Sequence, residues 1–295
     1  MLGALYALVT VLAWGTWLAP SQKIAFRNQQ IKTFYVASAN LALASVVASI
    51  QGFNGLTWSV FWLPFIGGLV WSVSGFFAFT ATHKLGMARA YGIWAPVNVI
   101  ISVLWGVLLF GEMTSLTTQS LVILAIAFIV SLTGIVMIII AKGFKDTATP
   151  ASIFWIGVIS AVIAGIFWGS YFIPIKLSAA SLWIANLPLS VGIFTGSSIL
   201  AILSKQPISL NKKSDTFRVM LTGLLWGIGN IGMLLLVDEI GAARGFTISQ
   251  LGVVVNGLLG IFILKDPQPQ SRAAWLTLVG CLFATIGGIL LGSVK

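Results

Sequence analysis

Aromatic side chains recur at helical spacing in two parts of the sequence. Trp14, Trp17 and Ser21 stand at positions i, i+3 and i+7, and Trp168 and Tyr171 repeat the first interval. Residues at these intervals share one face of a helix. A flat indole can stack on the C–H face of a pyranose ring, and an aromatic belt at a membrane interface is the alternative. Trp14 lies about 18 Å along the axis of its helix, which is deep for a belt and favours a binding role.

Polar side chains in two later apolar runs could read the hydroxyl groups of such a ligand. Trp94 and Asn98 share one helical face with Tyr91, and a second run carries Gln250 and Asn256. Buried amides in lipid must find partners, and hydrogen bonds between helices are the alternative to a ligand. The predicted substrate-binding residues are Trp14, Trp17, Trp94, Asn98, Trp168, Tyr171, Gln250 and Asn256.

The ionisable residues are too few and too peripheral for catalysis. All six acidic residues fall at or beyond the ends of apolar runs, and the chain has one His. No spacing suits a metal site, an acid–base pair or a phosphate-binding glycine loop. We therefore expect no enzymatic activity, no metal and no cofactor. A cationic substrate would lack a counter-ion within the membrane, so a neutral substrate is expected.

Two pairs of residues are candidates for coupling and gating. Asp238 and His83, both near membrane edges, are the candidate proton carriers, and their exposure to water predicts loose coupling or none. Pro20 and Pro174 stand near the ends of two apolar runs. Proline can kink a helix and so permit gating, and a simple helix end is the alternative.

The composition places these residues in lipid. Of 295 residues, 58% are hydrophobic and 7% charged, with a mean hydropathy of +1.05, whereas soluble domains carry roughly 25% charged residues. The net charge of +10 comes from scattered cations rather than a basic stripe, so nucleic-acid binding is not indicated. Ten apolar runs are long enough to cross a membrane as helices: 2–22, 33–51, 59–82, 88–110, 118–141, 152–175, 183–203, 216–237, 243–264 and 272–293.

The basic residues predict the orientation of these ten spans. Every Lys and Arg falls in the loops after spans 1, 3, 5, 7 and 9, except Lys176, Arg244 and Lys295. Because cytoplasmic loops carry the excess of Lys and Arg, both termini are expected on the extracytoplasmic side. The first run reads as a retained helix rather than a signal peptide. A multi-pass protein of the plasma (inner) membrane is predicted.

The sequence resembles itself. Trp14–Pro20 (Trp-Gly-Thr-Trp-Leu-Ala-Pro) recurs as Trp168–Pro174 (Trp-Gly-Ser-Tyr-Phe-Ile-Pro), and Lys84–Arg89 recurs, in the same order, as Glu239–Arg244. Each copy contains five spans, an odd number, so the copies must cross the membrane in opposite senses. We predict an all-α integral membrane protein of ten transmembrane helices in two inverted five-helix repeats. The expected division is 1–141 for the first repeat, 142–151 for a cytoplasmic linker and 152–295 for the second repeat.

These features resemble the drug/metabolite transporter superfamily over the whole chain. The resemblance rests on the two repeats, the Trp-Gly-Thr/Ser motifs, and Glu112 and Asp266 ending spans 4 and 9. Ile248–Val254 (Ile-Ser-Gln-Leu-Gly-Val-Val) and Gly260–Leu264 (Gly-Ile-Phe-Ile-Leu) are similar to its glucose/ribose porter branch of sugar transporters. The resemblance implies uptake of a sugar and leaves coupling to protons open.

The expected function is secondary transport of a small neutral sugar by alternating access, with import favoured by the resemblance. One alternative is a drug or metabolite exporter of the same fold. Another is a transporter of anionic phosphorylated metabolites, and a receptor or assembly factor is a third. One chain holds both repeats, so a monomer is sufficient and a dimer is possible through small residues of span 10. The cations that a phosphorylated substrate would need are Lys23, Lys176, Arg89 and Arg244.

Overall fold

A computed structural model describes residues 2–111, 117–141, 150–240, 245, 248–249 and 251–293, and these residues form helices joined by short loops. Apolar runs become helices because a helix satisfies its own backbone hydrogen bonds in lipid. The helices are α1 (Leu2–Thr16), α2 (Gln29–Gln51), α3 (Trp58–Leu85), α4 (Met87–Phe110), α5 (Thr118–Ile140), α6 (Ala151–Trp168), α7 (Phe172–Leu177), α8 (Leu182–Leu203), α9 (Lys213–Ile240), α10 (Leu251–Leu258) and α11 (Arg272–Ser293). A 3₁₀-helix (Ala19–Ser21) follows α1, and a π-helix (Leu259–Ile263) follows α10.

The helices have the length and surface of membrane spans. Nine spans in the described part of the chain are long and apolar enough to cross a membrane, and the apolar segment Leu251–Ile263 is shorter. Large apolar side chains point outward, as at Leu108 and Ile202, which are 75% and 71% exposed. Such surfaces require lipid around them. The prediction of an all-α, multi-pass membrane protein is confirmed.

Two of the predicted spans are interrupted at equivalent places. The first, predicted over 2–22, ends as α-helix at Thr16 and resumes as the 3₁₀-helix, and the sixth, predicted over 152–175, breaks between α6 and α7. Pro20 and Pro174 therefore lie in the first turn of the short second helix, where proline is tolerated. Each break lies in the turn before its proline, where the missing N–H and the ring of proline disrupt a helix. The prolines thus account for the breaks, and gating at these sites stays a prediction.

Corresponding helices of the two halves of the chain make corresponding contacts. Helix α1 packs on α9 and α10, and its counterpart α6 packs on α3 and α4. In the same way, the contact of α3 with α8 corresponds to that of α9 with α2. Two further contacts join a helix to its own counterpart, α2 to α8 and α5 to α11. This is the pattern that inverted repeats require. The boundaries at 141 and 152 stay a prediction, and residues 142–149 of the proposed linker lie outside the described part.

Small residues set the closest helix crossings. Gly192 of α8 lies against the backbone of Phe65 in α3, and Gly280 of α11 lies against Gly134 in α5. Because glycine has no side chain, two backbones can approach closely at such points. Gly287 likewise meets Ser131. The small residues of span 10 thus pack against α5 of the same chain.

Candidate substrate site

A cavity lies between the two halves of the bundle. The first half contributes Trp14 of α1 and Trp17 from the break that follows it, together with Trp94 and Asn98 of α4. The second half contributes Trp168, the last residue of α6, and Tyr171 from the following turn. The cavity therefore lies beside both helix breaks.

The walls of the cavity are tryptophan rings in mutual contact. The ring of Trp168 lies 5.2 Å from that of Trp94, 5.9 Å from Trp71 and 6.2 Å from Trp17, measured between centroids. Trp71 and Trp226 are 4.7 Å apart and nearly edge-on. Tilted and edge-to-face pairs at these distances are favourable and hold each ring in one orientation. The aromatic faces are thus arranged before any ligand enters.

The polar groups of the cavity are few, and one of them is unsatisfied. The indole Nε1 of Trp14 donates to the carbonyl oxygen of Trp226 at 3.2 Å, and Asn98 Oδ1 accepts from Ser102 Oγ at 3.3 Å. The indole Nε1 of Trp168 is buried and has no hydrogen-bond partner within the described structure. A buried donor left unpaired costs about 1–3 kcal/mol.

The sequence-predicted site residues separate into three groups. Six of them line the cavity: Trp14, Trp17, Trp94, Asn98, Trp168 and Tyr171. Asn256 does not line it, because its Nδ2 donates to the carbonyl oxygen of Gly15 at 3.2 Å. That contact is the hydrogen bond between helices that stood as its alternative. Gln250 lies outside the described residues.

Sequence reasoning did not assign five further lining residues to the site: Trp71, Tyr91, Ala95, Trp226 and Ser249. Signals for some of them were present. Trp71 and Trp226 occupy corresponding positions in the two repeats, and Tyr91 shares a helical face with Trp94. Trp71 and Trp226 line the cavity only if their faces of α3 and α9 turn inward. Both helices are apolar on every side, so packing rather than hydrophobicity determines which face does so.

None of the described ionisable candidates lines the cavity. His83, Lys23 and Lys176 are exposed, and Arg89 is buried. The side chain of Asp238 and the whole of Arg244 lie outside the described part of the chain. The cations that a phosphorylated substrate would need are thus absent from the described wall.

Arg89 lies near a carboxylate at the start of α4. A Cβ atom at Gly86, the residue preceding this helix, would collide with the side chain of Asp266. Burial raises the pKa of the Asp266 carboxyl, and Arg89 acts in the opposite direction. A carboxylate at a helix N-terminus is favourable and offsets a cation in the first turn. This contact between the two halves lies apart from the cavity.

An aromatic cavity within a bundle of membrane-spanning helices is a suitable site for a small solute, as expected of a membrane transporter. The model of the sugar transport protein family matches residues 5–294. A protein of Enterococcus faecalis named for sugar uptake is 31% identical over 296 residues, covering 99% of each chain. A protein of Bacillus cereus named for glucose uptake is 26% identical over 297 residues, covering 100% of each chain.

The chain belongs to the sugar transport protein family, and it is a multi-pass sugar transporter of the plasma membrane. The resemblance to glucose/ribose porters is thereby confirmed. A crystal structure of a protein with 18% sequence identity aligns with a TM-score of 0.63, covering 98% of this chain and 95% of that one. The two proteins share a fold.

Proposed function

We propose that this protein imports a small neutral sugar by alternating access, and that the sugar binds in the tryptophan-lined cavity between the two halves. One observation carries the proposal: the cavity has preoriented aromatic walls and an unpaired buried donor at Trp168. Aromatic faces suit the C–H faces of a sugar ring. Trp168 Nε1, with Asn98 at the same cavity, would read its hydroxyl groups.

Support for a neutral substrate comes from the lining residues. No Asp, Glu, Lys, Arg or His is among the described residues that line the cavity. A phosphate group would enter this site without a compensating charge, and an uncompensated buried charge is strongly unfavourable. This supports a free sugar over the phosphorylated substrate of the alternative function.

Alternating access is supported by the corresponding helix contacts of the two halves and by the helix breaks in the first and sixth spans. Helix breaks beside a site near the repeat interface are typical of transporters built from inverted repeats. Import is supported by the relatives from E. faecalis and B. cereus, whose names refer to uptake. The cytoplasmic side is assigned through the basic loops.

The test is a comparison of ligand classes with purified protein. Binding is measured by calorimetry for a panel of hexoses and pentoses, their phosphates, amino acids, nucleosides and a cationic dye. The proposal requires at least one free sugar to bind and its phosphate to bind at least ten-fold more weakly. Counterflow of that sugar in liposomes then tests transport. Tighter binding of a sugar phosphate or of the dye would replace the proposal with the corresponding alternative.

A further inference from the structure

A lysine is buried behind one wall of the cavity. Lys32, in the first turn of α2, is 3% exposed. Its Nζ lies 4.7 Å from the ring centroid of Phe79 and 5.7 Å from that of Phe26. No carboxylate of the described residues forms an ion pair with it. A cation over an aromatic face is attracted to it, more strongly where water is excluded.

Phe79 connects Lys32 to the cavity. Its ring, which is fully buried in α3, lies 5.7 Å from the ring of Trp17. Trp17 lines the cavity and contacts Trp168 on the other side. The order outward from the cavity is therefore Trp17, Phe79 and Lys32. A change at Lys32 reaches the cavity through Phe79.

Trp17 lies where α1 gives way to a turn. Helix α1 ends at Thr16, and Trp17 and Leu18 form the turn before the 3₁₀-helix. The N–H of Trp17 still donates to the carbonyl oxygen of Ala13 at 2.9 Å, and contacts of its ring add to this backbone bond. Trp17 is 2% exposed and Leu18 is fully buried. The ring contacts of Trp17 thus help to keep the residues of this turn buried.

The described residues of the second half show no equivalent arrangement. The match of Lys84 with Glu239 aligns Phe79 with Leu234, which offers no aromatic face to a cation. Lys176 does lie over a ring, at 4.2 Å from the centroid of Phe110, but Phe110 is not among the cavity residues. Among the described residues, the layered contact is found at the turn after α1.

We propose that Lys32 is a positioning residue for the sugar site, holding Phe79 against Trp17 and so keeping the cavity closed at the turn after α1. The effect on sugar binding rests on the proposed function, whereas the effect on the turn does not. Two measurements separate them. One is the Kd for the bound sugar, and the other is the rate at which a maleimide labels Leu18→Cys in a Cys281→Ala background.

Three substitutions test the role of the cation. Lys32→Met should weaken sugar binding about 5- to 20-fold and accelerate labelling at position 18 by a similar factor, since the attraction to Phe79 is lost. Lys32→Arg retains a cation and should stay within two-fold of the unmodified protein in both measurements. Lys176→Met, at an exposed lysine that also lies over a ring, should change neither.

A double-mutant cycle tests the path through Phe79. Phe79→Leu alone should reproduce the effects of Lys32→Met, and Lys32→Met should add nothing in that background. The inference would be overturned if the effects of the two substitutions multiplied in the double mutant. Unchanged labelling in Lys32→Met would also overturn it. If no sugar binds the unmodified protein, the proposed function fails and the labelling decides on Lys32. If Lys32→Met does not fold, Phe79→Leu with unchanged labelling would equally contradict it.

Discussion

Trp168 connects three other tryptophans, and its ring and its N–H group have separable roles. The ring contacts Trp17, Trp71 and Trp94, while Nε1 is buried without a partner in the described structure. The ring can pack on a sugar, and the N–H can donate to a hydroxyl. A site built to donate a hydrogen bond discriminates against ligands that cannot accept it.

Two substitutions of Trp168 should therefore weaken sugar binding to different extents. Trp168→Ala should cost about 1–3 kcal/mol of binding free energy, or roughly 5- to 150-fold in Kd. Trp168→Phe keeps an aromatic ring and loses the donor, so about five-fold is expected from one neutral hydrogen bond. Calorimetric titration with the bound sugar measures both.

The matched control is Trp155→Phe, which alters a tryptophan of the same helix that is 50% exposed toward lipid. Its Kd should be unchanged. Equal sugar binding by Trp168→Ala and the unmodified protein would remove Trp168 from the site.

Asn256 contacts α1 in this structure and does not line the cavity. Its Nδ2 donates to the carbonyl oxygen of Gly15 in α1. Hydrogen bonds between helices in membranes contribute about 0.6 kcal/mol on average. Asn256→Ala should therefore lower the midpoint of thermal unfolding slightly and leave the Kd for sugar within two-fold, as measured by a thermal shift assay and calorimetry. A loss of binding with unchanged stability would return Asn256 to the substrate site.

At the scale of elements, the ends of α1 and α6 carry cavity residues. Trp17 and Tyr171 both lie in turns, between α1 and the 3₁₀-helix and between α6 and α7. The N–H of Trp17 still donates to the carbonyl oxygen of Ala13, and that of Tyr171 to the carbonyl oxygen of Phe167, each at 2.9 Å. Both residues therefore continue the helical spacing of the preceding turn, and the irregular backbone follows them.

The crossing of α3 and α8 depends on glycine. A Cβ atom at Gly192 would come within 2.0 Å of the carbonyl oxygen of Phe65, so the two backbones would have to separate. Gly192→Ala should destabilise the protein by about 1–3 kcal/mol, the usual range for overpacking. Thermal unfolding in detergent measures the loss.

A second glycine provides the comparison. At Gly257 the nearest atom to a new Cβ would be Cys281 Sγ at 3.4 Å, an ordinary contact distance. Gly257→Ala should stay within about 0.5 kcal/mol of the unmodified protein, in line with substitutions that meet no special feature. Equal effects of the two alanines would show that the α3–α8 crossing is not set by Gly192.

At the scale of the whole molecule, the charge distribution predicts the topology. Only Lys176, Arg244 and Lys295 fall on the side opposite the other basic residues. By the positive-inside rule, we predict that both termini are extracytoplasmic. A phosphatase reporter fused after Lys295 should be active, and a cytoplasmic fluorescent reporter at the same place should be dark. The reverse result would invert the orientation of every loop and the assignment of the cytoplasmic side.

The sequence by itself determined that the protein lies in lipid, the class of its fold and many residues of the cavity. Few charges and long apolar runs admit only membrane-spanning helices, because unpaired backbone groups are too costly in lipid. The duplicated motif carried Trp14, Trp17, Trp168 and Tyr171 to the cavity, since residues repeated at helical spacing share a face. These conclusions depend on local spacing and composition, which a sequence displays directly.

The tertiary structure alone decided how the apolar helices turn and where two of them break. Trp71 and Trp226 line the cavity, yet their helices are apolar all round, so no periodicity marks an inward face. Asn256 was indistinguishable from a ligand-binding amide until its contact with Gly15 was located. Lys32 was one cation among the basic loops until α3 placed Phe79 beneath it. In lipid, hydrophobicity does not distinguish one apolar face from another, and close packing between helices makes that choice.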